Sequence, residues 1–234
     1  MGNSFHCVDE LKKGKRCVIV CAGDSITEQN YHLNGFLNYV GILGAQLSAY
    51  RKARIINAGV SGETADNFLS RWEEDVAGFS PNLLTVMFGI NDSVKGSGNI
   101  PVFRRNLRAI IEKSMDIGAE LLFITQNPMI EITIGKLNMR DIKKTLENGT
   151  YTSGSFSGTC FDEVLSRIDY PQYVQCLRDT ASEFKIPLCD IYAEWEKHLL
   201  DNARDKWLLM SDLMHPNEYG HQFIARVLLQ FLQV

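Results

Sequence analysis

The residues whose types suit catalysis lie in four places far apart in the chain. Gly23-Asp24-Ser25-Ile26-Thr27 follows an apolar run, and Ser61-Gly62-Glu63-Thr64 follows a second one. Gly89-Ile90-Asn91-Asp92 follows a third, and Ser211-Asp212-Leu213-Met214-His215-Pro216 lies towards the C-terminus. Together they hold a hydroxyl, glycines, a carboxamide and a carboxylate three residues from an imidazole. Acyl transfer needs these groups. A serine hydroxyl is a poor nucleophile at neutral pH and requires a base beside it, most often histidine. The histidine in turn requires an acceptor on its other ring nitrogen, and Asp212 is spaced to reach His215 within one turn. The tetrahedral intermediate carries an oxyanion that preorganised N–H donors must meet. Gly62 can offer a backbone N–H with no side chain in the way, and Asn91 can offer its amide. Each group also has an ordinary reading. Ser, Asp and Thr cap helices, a glycine relieves positive φ, and asparagine suits turns. Taken singly the ordinary readings win; taken jointly, in this order, the chemical one does.

Such groups meet only if the fold carries them to one edge. Apolar and β-branched runs recur at 16–22, 54–58, 83–88, 120–125 and 186–190, with helical patterns between them. Phe68, Leu69, Trp72 and Val76 fall at helical spacing behind Thr64 and Asp66, both good N-terminal residues. Pro101 opens another helix, with Leu107, Ile110 and Ile111 as its stripe and Gly118 as its stop. Residues 36–50 and 170–184 read as helices too, and Pro216 starts a last one ending in Phe231 and Leu232. Strands alternating with helices predict a parallel sheet covered on both faces. Ligands of such sheets bind beyond the carboxyl ends of the strands, where helix N-termini converge. Ser25, Gly62 and Asn91 follow the first three strands, and the Asp212–His215 segment follows the fifth and an intervening helix. Topology alone would gather them.

Composition narrows the function further. A length of 234 residues suits one domain spanning 1–234. Apolar residues at 45% and charged ones at 22% are those of an ordinary globular protein. A net charge of −4, with Lys and Arg scattered, argues against a nucleic-acid partner. No run approaches the ~18 apolar residues of a membrane span. The first sixteen residues carry charge throughout, without the apolar middle of a secretory signal. Six scattered cysteines without a C-x-x-C pair read as buried, reduced thiols and a cytoplasmic location. Neither an H-E-x-x-H helix, a Cys/His cluster nor a P-loop occurs, so no metal or cofactor is expected. His32 reads as a surface-loop residue and His221 as structural. One stretch, 127–167, breaks the rhythm: a short helix over 138–147, then a Gly/Ser-rich run. It reads equally as a functional loop or lid and as a disordered insertion.

The four blocks resemble those of the SGNH hydrolases, the GDSL esterase/lipase family. Gly23-Asp24-Ser25 matches the GDS block, Gly62 the second-block glycine, and Gly89-Ile90-Asn91-Asp92 the G-x-N-D block. Asp212-Leu213-Met214-His215 matches the closing D-x-x-H. The resemblance implies a three-layer α/β/α flavodoxin-like sandwich with a five-stranded parallel sheet. It also implies a hydrolase without metal or cofactor, with Ser25 as nucleophile, His215 as base and Asp212 as its partner. The oxyanion would be held by the Ser25 N–H, the Gly62 N–H and the Asn91 side chain, with Asp24 supporting the turn. A G-x-S-x-G elbow is absent, since Thr27 stands where its last glycine would be, which disfavours the α/β-hydrolase fold.

The run Arg71-Trp72-Glu73-Glu74-Asp75-Val76 after S-G-x-T is similar to the branch of acetylesterases acting on xylo-oligosaccharides. That branch implies a small ester substrate, an acylated carbohydrate, and suggests self-association into a homo-oligomer; with the charge and the missing apolar span, no nucleic-acid or membrane partner is expected. Residues 127–167 depart from the family pattern, so acyl and alcohol preference stay open. Two rival readings remain. One is a lysophospholipase or acyl-thioesterase of the same fold, with Met129, Ile130, Ile132, Ile134, Leu137 and Met139 lining an apolar groove, or else serving as core or subunit contact. The other is a non-catalytic carbohydrate-binding module, which would need none of Ser25, Asp212 and His215.

Overall fold

The computed structural model describes residues 5–28, 33, 35–130 and 165–234. Its strands are β1 (Cys17–Gly23), β2 (Ala53–Gly59), β3 (Leu83–Met87), β4 (Glu120–Ile124) and β5 (Leu188–Cys189). Its helices are α1 (His6–Lys12), α2 (Tyr39–Leu47), α3 (Ala65–Ser70), α4 (Trp72–Asp75) and α5 (Ile100–Asp116). They continue as α6 (Tyr170–Phe184), α7 (Ile191–Asp201), α8 (Asp205–Leu208) and α9 (Glu218–Leu232).

Every residue of β1 and β3 is buried, as in strands covered on both faces. All four strand pairings are parallel, in the order β2-β1-β3-β4-β5. Helices α2, α7 and α9 pack against one another on one face, and α3, α5 and α6 on the other. The result is the expected three-layer α/β/α sandwich. The chain leaves β1 for α2 on one face and leaves the adjacent β3 for α5 on the other. A crevice opens where neighbouring strands send their helices to opposite faces, at their carboxyl ends. Gly23 pairs in register with both Gly59 and Met87, so β1, β2 and β3 end level at that crevice. The two glycines allow the next turn to fold back tightly. A Cβ on Gly23 would run into Thr27 Oγ1 and Met87 O, and one on Gly59 into the Glu28 N.

Several boundaries differ from the sequence reading, each for a local reason. The single helix read behind Thr64 is two short ones, broken at Arg71. Arg71 instead binds Glu63, Asp75 and the Ala58 carbonyl. The helix read over 36–50 is shorter, because Asn38 caps it by accepting from Gly41 N (2.9 Å). The last helix begins after Pro216, since Asn217 accepts from Tyr219 N and Gly220 N while Pro216 pairs with Met210 in an antiparallel bridge. The fifth strand keeps only Leu188–Cys189. α1 has no counterpart in the sequence reading: Glu120, at the start of β4, accepts from His6 N (2.8 Å) and Cys7 N (2.7 Å). Cys7, Cys17, Cys21, Cys176 and Cys189 are buried free thiols. The expected helix 138–147, most of the stretch 127–167, and His32 lie outside the described residues. No helix among those described is long and apolar enough to cross a membrane.

Candidate active site

After β1 the chain winds tightly around Asp24. Thr27 N and Glu28 N donate to the Asp24 carbonyl, and Ile26 N donates to its Oδ1 (3.1 Å). Asp24, Ile26 and Thr27 are buried, leaving Ser25 partly exposed between them. Neighbouring elements clamp the turn. Asn38 Nδ2 (2.8 Å) and Asn57 Nδ2 (2.7 Å) both donate to the Thr27 carbonyl, and Thr27 Oγ1 bonds Tyr39 Oη (2.9 Å).

The segment carrying His215 is pinned from several sides. Asn127 Nδ2 donates to the Met214 carbonyl (3.0 Å), and Ile130 N to the Leu213 carbonyl (2.8 Å). Within it Asp212 Oδ1 accepts from Met214 N (2.7 Å) and His215 N (2.6 Å), so the carboxylate folds back on its own loop. Its Oδ2 lies 2.8 Å from His215 Nδ1, and His215 Nε2 lies 3.0 Å from Ser25 Oγ. An Nδ1–H held by the carboxylate leaves Nε2 as the acceptor facing the hydroxyl, the tautomer a general base requires. Burial raises the Asp212 carboxyl, but the bonds from the His215 ring, His215 N–H and Met214 N–H outweigh it, and the net shift is downward. Asp212 therefore stays ionised beside the imidazole.

Gly62 lies in the exposed loop between β2 and α3 at φ +78°, in the left-handed region that favours glycine. Its neighbours tie that loop to both sides of the crevice. Ser61 N donates to Glu28 Oε2 (2.9 Å), and the Glu63 carbonyl accepts from Asn91 Nδ2 (3.0 Å). The backbone N–H groups of Ser25 and Gly62 have no acceptor among the described residues. Asn91 is nearly buried, and its Nδ2 also donates to Asp24 Oδ2 (3.2 Å). Both amide hydrogens thus have acceptors within the protein. To meet an oxyanion the carboxamide must release its longer bond, to Asp24. Asp24 would still accept from Gln126 Nε2 (2.7 Å) and Ile26 N.

Residues 21–223 match the profile of the GDSL-like Lipase/Acylhydrolase family. The chain belongs to this family. The esterase class read from the four blocks is the family's own. One relative is the acetylxylan esterase of Geobacillus stearothermophilus, 26% identical over 94% of this chain and 95% of its own length. Another is the uncharacterized lipoprotein YqeF of Bacillus subtilis, 28% identical over 70% of this chain, a match spanning 65% of the lipoprotein. The solved structure of the Geobacillus acetylxylan esterase superposes with a TM-score of 0.67 at 20% identity, covering 93% of this chain and 94% of the other.

Two polar residues of this GDSL-like site escaped the sequence reading. Gln126 follows β4 and is fully buried; its Nε2 holds Asp24 Oδ2 while its Oε1 accepts from Ile90 N (2.9 Å). Its place just after a strand is the sequence signal that marks it, as for the polar turns after β1, β2 and β3. Arg167 donates from Nη2 to Asn91 Oδ1 (3.1 Å). No motif or period in the sequence points to it. Burial pushes the Asp24 carboxyl up to about 6, against the bonds from Gln126 and Ile26 N. It also pushes the neighbouring Asp92 up to about 7, against the bond from Ala65 N. His221 is buried in α9, accepts from Tyr39 N (3.3 Å), and is pushed down to about 4 by burial, so it is neutral packing.

Proposed function

We propose that the chain is a carboxylic-ester hydrolase using Ser25, His215 and Asp212, and that it removes acetyl or another short acyl group from a carbohydrate. The observation that carries the catalytic reading is the continuous chain Ser25 Oγ–His215 Nε2–Asp212 Oδ2, at 3.0 and 2.8 Å. His215 takes the Ser25 proton as Oγ attacks the ester carbonyl, then returns it to the departing alcohol. A water activated by the same imidazole releases the acid. The Ser25 and Gly62 N–H groups and the Asn91 amide would meet the oxyanion. A binding module would have no use for this alignment. The acyl and sugar preferences rest on the acetylxylan esterase that aligns over most of the chain.

A longer acyl chain has one feature in its favour. Met129 and Ile130 border an open pocket of about 340 Å³ with Tyr192, Trp195, Leu199 and Met210, beside Glu196 and Lys206. A series of p-nitrophenyl esters of rising chain length, run beside acetylated xylo-oligosaccharides, separates the readings. Highest kcat/KM on the acetate, with acetate released from the oligosaccharides, is the expected result. A preference for eight carbons or more, with no action on the sugars, would replace it with the lysophospholipase or thioesterase reading.

Asn91→Ala is expected to lower kcat by about 10²–10³ while KM changes little, as for loss of one oxyanion donor. Steady-state kinetics on p-nitrophenyl acetate measures both. A rise in KM alone would make Asn91 a substrate-binding residue.

A further inference from the structure

Asn91 sits between opposite charges. On one side its Nδ2 faces the Asp24 carboxylate and the Glu63 carbonyl; on the other its Oδ1 accepts from the Arg167 guanidinium. Turning the amide over would set its N–H groups against the guanidinium and its oxygen against two acceptors, so one orientation is enforced. A cation on the carbonyl oxygen also draws electron density from the nitrogen, making the N–H groups stronger donors.

Arg167 is not a loose surface side chain that happens to reach Asn91. It lies just before α6, whose first turns are docked on the loop that contains Asn91. Asp169 Oδ2 accepts from Ser97 N (3.0 Å), and Tyr173 Oη donates to the Gly96 carbonyl (2.6 Å). The Tyr170 ring lies so close to Gly89 that a Cβ there would touch it at 3.5 Å. Three contacts thus hold the root of Arg167 against residues 89–97.

We propose that Arg167 is a positioning residue for acyl transfer, orienting and polarising the Asn91 carboxamide so that its N–H can stabilise the oxyanion. The proposal rests on the oxyanion role given to Asn91 above. It assigns Arg167 no contact with substrate, so its loss should fall on kcat and not on KM.

The test is a double-mutant cycle of Arg167→Ala and Asn91→Ala on p-nitrophenyl acetate, with thermal unfolding recorded for each variant. Arg167→Ala alone is expected to lower kcat roughly tenfold with KM within about twofold, and to do nothing further in the Asn91→Ala background. Arg167→Lys, which keeps the charge and a donor, is expected to recover part of the loss. Equal losses in both backgrounds would overturn the proposal, because Arg167 would then act independently of Asn91. So would an unchanged kcat, or a loss expressed in KM. If Arg167→Ala fails to fold, Arg167→Lys and Arg167→Gln take its place in the same cycle, with Gln expected to lose more kcat than Lys and to lose it only when Asn91 is present. Asn91→Ala with undiminished kcat would instead remove the oxyanion role itself, leaving nothing for Arg167 to position.

Discussion

Ser25→Ala and His215→Ala are each expected to remove nearly all ester hydrolysis. What remains should be about 10³–10⁴ over the uncatalysed rate, from oxyanion stabilisation and binding alone. The reason is geometric. Ser25 Oγ is the hydroxyl 3.0 Å from an imidazole nitrogen whose other side is fixed by a carboxylate. In the proposed mechanism, removing either member would end the proton transfer that makes the hydroxyl a nucleophile. The double variant should be no slower than either single one, because members of one unit are not additive. A fluorophosphonate should add once to the wild-type chain, at Ser25, as read by intact mass and peptide mapping. No adduct should form on Ser25→Ala. Retention of near-full activity by Ser25→Ala would refute the assignment, and so would a rate that vanishes with EDTA and returns with Zn²⁺ or Mn²⁺.

Asp212→Asn is expected to keep the fold and lose about 10⁴ in kcat. An amide in that place can present its NH₂ to His215 Nδ1, which puts the ring proton on Nε2 and leaves no acceptor for Ser25. The wild-type enzyme should lose kcat/KM towards acid, because only a neutral imidazole accepts the serine proton. Asp212 does not supply that limb, since its folded-state value lies below the ordinary one and it stays ionised there.

Nor should unfolding supply the acid limb. Asp24 and Asp92 are pushed up to about 6 and about 7, so between these values and ~4 the folded chain holds more protons than the unfolded one. Their contribution to stability is therefore largest in acid and is lost as pH rises through 6 to 7. His221, pushed down to about 4, works the other way: its contribution is present above ~6.5 and is lost as pH falls towards 4. Activity lost at pH 5 should return on neutralisation, with far-UV circular dichroism unchanged throughout. An Asp212→Asn variant of near wild-type kcat would detach Asp212 from the mechanism.

Much of this architecture was legible beforehand because its signals are local. The fully buried strands read as runs of apolar and β-branched residues, and Pro101 with Gly118 bracketed α5. The errors were local as well. The apolar spacing of Phe68, Leu69, Trp72 and Val76 continues through Arg71, so the period could not reveal the break that its bonds to Glu63, Asp75 and Ala58 impose. α1 was missed because its N-terminal N–H groups are met by Glu120, more than a hundred residues away, and not by a nearby cap.

The sequence by itself determined the alternation of its five strands with helices, and with it the parallel sheet and the edge where its polar turns converge. Residue periodicity and strand-end chemistry encode these without reference to the rest of the chain. It also determined which groups stand after β1, β2 and β3, and that Asp212 can reach His215, because three residues within one loop span that distance. Only the tertiary structure decided what Asn91 and Asp24 touch. Gln126 reaches Asp24 across 102 residues, and Arg167 reaches Asn91 across 76, through the docking of α6 on the loop after β3. Such contacts depend on how one layer seats on another, and no spacing along the chain records it.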